Sequence, residues 1–415
     1  MNKSANQPRL NIYHHYRRLS LGTKILIFMV LGLISGIVFG QEAQVVQPLG
    51  DLFIRLLMMA AIPLVFFNLL AGLTSLSDLR SLGRISYKIL IYYLFTTVIA
   101  LTLGLSMMHL IKPGLGMQLT GEVEDSFGQV PAVTDVIVDL VPDNIIKAFS
   151  TGQIAQVVVF AVFLGVATLL LLQKQKQLLQ KVFDALAELM RKLVGLIMHF
   201  GPIGIGALTA STVGQYGSDI FGPLALFIGG VWATQAVMIV IYMILLVLVA
   251  RQSPFIFLKQ TAPLYATTAT TCSSLASLAV SLEVAEERMK LPRSIYAFTL
   301  PLGAQINKDG TSIMLAGVLL FTAQATGVEF SLTSQIIIVL VGLLLSTGSG
   351  GIPGGGLVVA LIFVKAFHLP LEIAVIVAGI YRLIDMGGTT INCMGDMVGT
   401  VIVTNSEKAL EPKKI

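Results

Sequence analysis

Apolar stretches long enough to cross a bilayer recur from Leu21 to Val403, with no soluble-looking block between them. No other feature constrains the chain as tightly. Six conventional spans are predicted near 23–40, 47–75, 85–110, 144–172, 180–212 and 222–250, each with enough apolar sequence for a hydrocarbon core about 30 Å thick. Only 12% of the 415 residues are charged, where a soluble domain carries about 25%. Length alone would admit two or three soluble domains; the missing charge predicts one all-α integral membrane domain with lipid around it.

The charges between the stretches predict an orientation. Lys3, Arg9, Arg17, Arg18 and Lys24 precede or open the first stretch, and the turn from Gln41 to Pro48 has no basic residue. Arg80, Arg84 and Lys88 follow. The next loop holds Glu122, Glu124, Asp125, Asp135, Asp139 and Asp143 against Lys112 alone. Lys174, Lys176, Lys181, Arg191 and Lys192 come next, then a turn near Gln215 without basic residues, then Arg251 and Lys259. This alternation follows the positive-inside rule. It predicts a multi-pass protein of the cell (inner) membrane with cytoplasmic termini, residues 1–20 and 406–415. The basic residues lie in short clusters, so the net charge of +5 does not point to nucleic acid. Cys272 and Cys393 give neither a disulfide framework nor a metal spacing. The first stretch lacks a cleavage pattern and reads as a retained helix.

After Arg251 the pattern changes. Thr267–Leu278 is a run of Thr, Ser, Ala and Cys between short apolar arms. Ile336–Leu345 leads into Ser346-Thr347-Gly348-Ser349-Gly350-Gly351-Ile352-Pro353-Gly354-Gly355-Gly356, and Leu357–Val364 leads out. Gly and Pro at that density stop a helix. Non-helical backbone at membrane depth persists only where it is buried or lines a polar cavity. Two such hairpins point to a binding site near the midplane. Between them, Asn307-Lys308-Asp309-Gly310-Thr311 interrupts two apolar segments, each too short to span. That predicts a broken helix whose freed carbonyls, with Asp309, suit a hard cation; the plain alternative is a water-exposed loop.

The last helix carries Arg382, Asp385, Thr389, Asn392 and Asp396 at spacings that share a face. Charged groups at bilayer depth cost several kcal/mol, about 3 on insertion scales, so the stripe is a functional-site expectation. A salt-bridge seam, with Arg382 serving Asp385, is the bland reading, and it leaves Asp396 unexplained. Tyr93, Thr96 and Thr97 on the third helix read, by themselves, as packing residues. No His–Glu, Ser–His or Cys–His constellation falls in the apolar region, so no catalytic residues and no enzyme are predicted.

These motifs resemble the glutamate transporter family, the dicarboxylate/amino acid:cation symporters. The resemblance rests on Thr271-Cys272-Ser273-Ser274, Asn307-Lys308-Asp309-Gly310-Thr311, Gly351-Ile352-Pro353-Gly354-Gly355-Gly356, and Asp385-Met386-Gly387-Gly388-Thr389 followed by Asn392-Cys393-Met394-Gly395-Asp396. It implies a homotrimer of eight transmembrane helices per chain plus two re-entrant hairpins. Scaffold helices would occupy 21–75 and 140–212. An elevator-like transport domain would hold the third helix (84–110) and 222–405. The latter comprises the sixth helix, hairpin one (about 255–287), the broken helix (about 293–325), hairpin two (about 332–366) and the last helix (about 370–404). The resemblance implies a small amino acid as substrate, met by Ser274, Thr311, Ile352, Gly356, Asp385, Gly388, Thr389 and Asn392, with Asp385 on the α-ammonium. It implies sodium-type sites at Gly303, Asn307, Asn392 and Asp396; at Tyr93, Thr96, Thr97, Asn307 and Asp309; and at backbone near Gln305 with Ser346, Thr347 and Ser349. Na+ or H+ would couple; no other cofactor is implied.

Two departures refine this. Gly388 stands where acidic amino acid transporters of the family keep an arginine, so no bidentate partner awaits a side-chain carboxylate there. A neutral or polar amino acid is therefore favoured over aspartate or glutamate, with Arg382 able to substitute from one turn back. Lys308 replaces a methionine beside a sodium site. It is either a tethered cation that weakens sodium coupling, with protons as replacement, or a side chain that snorkels into water and changes little. An anion-conducting channel is the competing class.

Overall fold

The computed structural model describes residues 19, 21–75, 79–117, 138, 141–151, 153–351 and 354–408. The expectations for the N-terminal basic cluster, for Glu122, Glu124, Asp125, Asp135 and Asp139, for Ile352 and Pro353, and for Lys413 and Lys414 lie outside the described residues.

The described residues form helices and no strands. α1 (Leu21–Phe39) passes through a 3-10 turn (Gly40–Val46) into α2 (Gln47–Ser75). α3 (Leu79–Ile111) kinks at Gly83, whose dihedrals are not helical. The single span expected at 144–172 is instead α4 (Ile145–Thr151) and α5 (Ile154–Leu169). The Ser150 and Thr151 hydroxyls both bond back to the Lys147 carbonyl, at 3.0 and 2.7 Å, the local competition that ends a helix. α5 alone has 16 residues, about 24 Å at 1.5 Å per residue, short of the hydrocarbon thickness. α6 (Gln173–Tyr216) corrects the other way: the basic segment read as a loop is its first turns, and its 44 residues make it far longer than 180–212.

α7 (Phe221–Leu248) is apolar all round. Trp232, Val240 and Ile244 on it are exposed, as a lipid-facing helix requires. The first hairpin is α8 (Pro254–Thr271) and α9 (Ser274–Glu283), closed by a π turn (Val284–Arg288). α10 (Arg293–Ile306) and α11 (Asp309–Ala325) are the halves of the broken helix. The second hairpin is α12 (Leu332–Thr347) and α13 (Gly355–Ala366). α14 (Glu372–Lys408) closes the fold. It runs past 404, so the expected tail begins inside a helix. Its end is fastened to α3: Glu407 takes Arg84 on both carboxylate oxygens and Lys88 at 2.6 Å.

Two packing groups emerge. α1 and α2 each lie mainly on α6, with α5 on α2. They approach as closely as backbones can: a Cβ on Gly32 would sit 2.2 Å from the Gly206 carbonyl oxygen. Small residues at helix crossings allow that contact, which drives association where no hydrophobic effect operates. In the other group α11 is central, buried along nearly its whole length against α3 and α14.

Candidate functional site

The broken helix sets the site. Asn307 and Lys308 both leave helical dihedrals (φ −77°, ψ 115° and φ −137°, ψ 44°), so α10 ends and α11 begins inside the protein. Helix ends leave backbone groups unsatisfied, and here side chains meet them. The Asn392 Oδ1 accepts from the Gly310 N–H at 2.7 Å, and the Lys308 ammonium donates to the Ala304 carbonyl at 2.6 Å. Asn307, Lys308 and Asp309 are buried, which removes the water-exposed-loop alternative.

The sequence-selected residues fall into two carboxylate centres. Asp396 accepts from Asn307 Nδ2 at 3.0 Å, and the same amide reaches the Asn392 carbonyl at 3.2 Å. Gly303 lies against this centre: a Cβ there would meet Asp396 Oδ1 at 2.3 Å and the Tyr93 hydroxyl at 2.5 Å. In the second centre, Asp309 accepts from Thr97 at 2.8 Å and from Tyr242 at 2.5 Å. Thr96 is buried beside them and bonds back to the Tyr93 carbonyl, while Tyr93 donates to the Thr299 carbonyl. Asn307 Oδ1, on the same amide that serves Asp396, is buried with no donor among the described residues. A buried acceptor without a donor is costly. Carboxylates, hydroxyls, carbonyls and a free amide oxygen are the donor set a monovalent cation takes, so these residues fit one. Among the described residues, no three His, Cys, Asp or Glu side chains gather as a metal cluster.

The third expected cation position is different. The Ser346 and Thr347 hydroxyls bond to Leu343 and Leu344 of their own helix. Ser349 is buried and Gln305 half-buried, and no bond joins them among those described. At this level lies Lys308 Nζ: the residue is 1% exposed and the atom is 3.4 Å from a Cβ built on Gly351 of the second hairpin. The snorkelling reading of Lys308 is therefore overturned. No carboxylate among the described residues comes within ion-pair distance of it.

The hairpin tips meet each other. The Gly351 carbonyl accepts from Ser273 Oγ at 2.8 Å and from the Leu275 N–H at 3.2 Å. Ser273 also caps α9 through the Ala276 N–H. Ser274 is buried next to it. Gly351, at φ +65°, is in the left-handed region that glycine enters freely. The second tip also touches the other packing group: Asn68 of α2 donates to the Gly348 carbonyl at 3.2 Å, and Arg191 of α6 donates to Asn68 at 3.3 Å.

Beneath the tips is a cavity of about 320 Å³ lined by Thr270, Thr271, Gly354, Tyr381, Arg382 and Asp385, among others. Thr389 donates to Asp385 at 3.2 Å. Thr311 accepts from Asn392 at 3.4 Å, and its methyl lies 3.4 Å from a Cβ built on Gly356. Arg382 donates to the Thr270 carbonyl and forms no ion pair with Asp385, so the bland alternative of a salt-bridge seam is not seen among the described residues. Gly310 admits a close backbone crossing: a Cβ on it would be 2.1 Å from the Gly388 carbonyl oxygen, whereas a Cβ on Gly388 would come no nearer than 3.6 Å to Gly310. Larger concavities of about 650 and 360 Å³ are lined mostly by apolar side chains of α1, α6 and α7. Sequence reasoning missed Tyr242, Tyr381, Ser273 and the Asn68–Arg191 pair. A tyrosine hydroxyl in an apolar helix was the available signal for Tyr242.

Long apolar helices around buried carboxylates and broken backbone define a membrane protein of the transporter class. The chain belongs to the sodium:dicarboxylate symporter family, which it matches over residues 21–406. It is 30% identical to the proton/glutamate-aspartate symporter of Bacillus subtilis (strain 168), over 94% of this chain and 96% of that one. It is 30% identical to the C4-dicarboxylate transport protein of the same organism, over 95% of each. It is 31% identical to the proton/sodium-glutamate symport protein of Bacillus caldotenax, over 96% and 97%.

Proposed function

We propose that this chain is a secondary active symporter for a small acidic amino acid, driven by a monovalent cation. One observation carries the substrate: Asp385 and Arg382 line the same cavity, which α1 and α6 close from the other packing group. A carboxylate and a guanidinium on one wall suit a solute with an ammonium and a second carboxylate. Arg382 spends one donor on Thr270, and a guanidinium has five. The relatives' names, glutamate-aspartate and C4-dicarboxylate, lend the neutral-amino-acid expectation no support. It stays as the second reading because Gly388 supplies no guanidinium. In uptake by reconstituted protein, aspartate transport that survives excess serine and alanine is expected. Competition by serine equal to that by unlabelled aspartate would reverse the order.

In this reading Asp385 takes the ammonium. Ser274, Ile352 and Gly356 present backbone to the carboxylates, and Thr311, Thr389 and Asn392 line the remainder. Cations sit at Gly303, Asn307, Asn392 and Asp396, and at Tyr93, Thr96, Thr97, Asn307 and Asp309. Lys308 stands as a tethered cation where Gln305, Ser346, Thr347 and Ser349 would form a third site. The packing groups support a scaffold (21–75, 140–212) and a sliding transport domain (84–110, 222–405), with eight spans and two re-entrant hairpins in each protomer of a trimer. Cytoplasmic termini in the cell membrane complete the proposal.

A further inference from the structure

The fold uses little of the Lys308 ammonium. A lysine carries three N–H donors and no acceptor. Lys308 gives one to the Ala304 carbonyl at 2.6 Å, and its side chain makes no other hydrogen bond or ion pair among the described residues. A buried charge left without a partner is costly, and the surroundings indicate what the partner is. A Cβ built on Gly351 would lie 3.4 Å from Lys308 Nζ and 2.5 Å from the Ala304 oxygen that the ammonium bonds. From the first hairpin, Ser273 Oγ and the Leu275 N–H both donate to the Gly351 carbonyl, at 2.8 and 3.2 Å. Ser273 is buried like Lys308. Donors from two separate elements therefore converge on the small volume around Gly351. All of them are donors, so that volume suits an anion.

Resting on the acidic-amino-acid reading above, we propose that Lys308 Nζ, Ser273 Oγ and the Leu275 N–H form the subsite for one carboxylate of the solute. Lys308 is its charged binding residue. One carboxylate oxygen takes the two hairpin donors in place of the Gly351 carbonyl, and the other takes the ammonium. Arg382 is left for the second carboxylate. An uncharged carboxamide at the same point forfeits the charge-assisted bond to the ammonium, so the subsite discriminates charge at one end of the solute.

The test is calorimetric binding of aspartate and its two monoamides, asparagine and isoasparagine, to the purified full-length protein. Wild-type protein is expected to prefer aspartate to both. In Lys308→Met the preference over one monoamide is expected to fall about tenfold, the weight of one hydrogen bond to a charged group, and that over the other to change less than about twofold. Ratios taken within one protein cancel any change in cation occupancy. Ser273→Ala is expected to lower the same one of the two ratios. Lys308→Gln, which keeps a donor without its charge, should lower it as well and serves if the methionine variant fails to fold. Unchanged ratios, equal weakening of all three ligands, or wild-type protein with no preference for aspartate would overturn the proposal. Wild-type protein that binds succinate and not aspartate removes the amino-acid reading alone. The subsite is then upheld by a loss in Lys308→Met of the preference for succinate over its monoamide, and overturned by an unchanged preference.

Discussion

In the proposed reading Lys308 is a tethered cation. Its ammonium is buried on a helix-terminal carbonyl, beside the turn of the second hairpin. A compact, strongly hydrated point charge is left there only where its surroundings replace water. Lys308→Met should therefore steepen the sodium dependence of substrate affinity, raising the slope of log affinity against log sodium by about one ion. The same steep slope in both proteins would refute the tethered cation. Tyr242 makes the shortest hydrogen bond to Asp309. Tyr242→Phe leaves that oxygen one donor short inside the protein, at an expected loss of about 1–3 kcal/mol; thermal unfolding in detergent measures it, and an unshifted midpoint counts against the contact.

At the scale of elements, α11 and α14 touch backbone to backbone at Gly310 and Gly388. A methyl at position 310 meets a carbonyl that has no rotamer with which to yield. Gly310→Ala is expected to cost at least the 1–3 kcal/mol of ordinary overpacking, roughly, and to abolish cation-dependent stabilisation. A variant with wild-type unfolding and wild-type sodium response would disprove the close crossing. The breaks themselves were legible: Asn307-Lys308-Asp309-Gly310-Thr311 and the Gly-Pro run announce chain that cannot continue as helix. The face shared by Asp385, Thr389, Asn392 and Asp396 followed from helical spacing. Partners from distant helices did not. Nothing local in α7 marks Tyr242 for Asp309, because only the tertiary crossing brings residues so far apart in sequence together. The split between α4 and α5 falls in the polar run Ser150-Thr151-Gly152-Gln153, which the apolar stretch after Ile154 outweighed. The basic first turns of α6 looked like a loop because charge, not periodicity, was read.

Across the whole molecule, Asn68 is a polar bond between the two packing groups, and Arg191 holds it in place. If the groups move against each other, that bond opens. Asn68→Ala should raise thiol-reagent labelling of a cysteine introduced at Ser349, which is buried beside the same turn. Labelling at the wild-type rate would mean that Asn68 does not restrain the tip. A last consequence lies in the single carbonyl of Gly351. It fills the hydroxyl and the amide that the first hairpin offers to the pocket, just as an oxyanion from outside would. A guest that needs those two donors must evict a resident of the host's own backbone. Binding there is a swap rather than an addition, and it favours guests whose charge makes them the better acceptor.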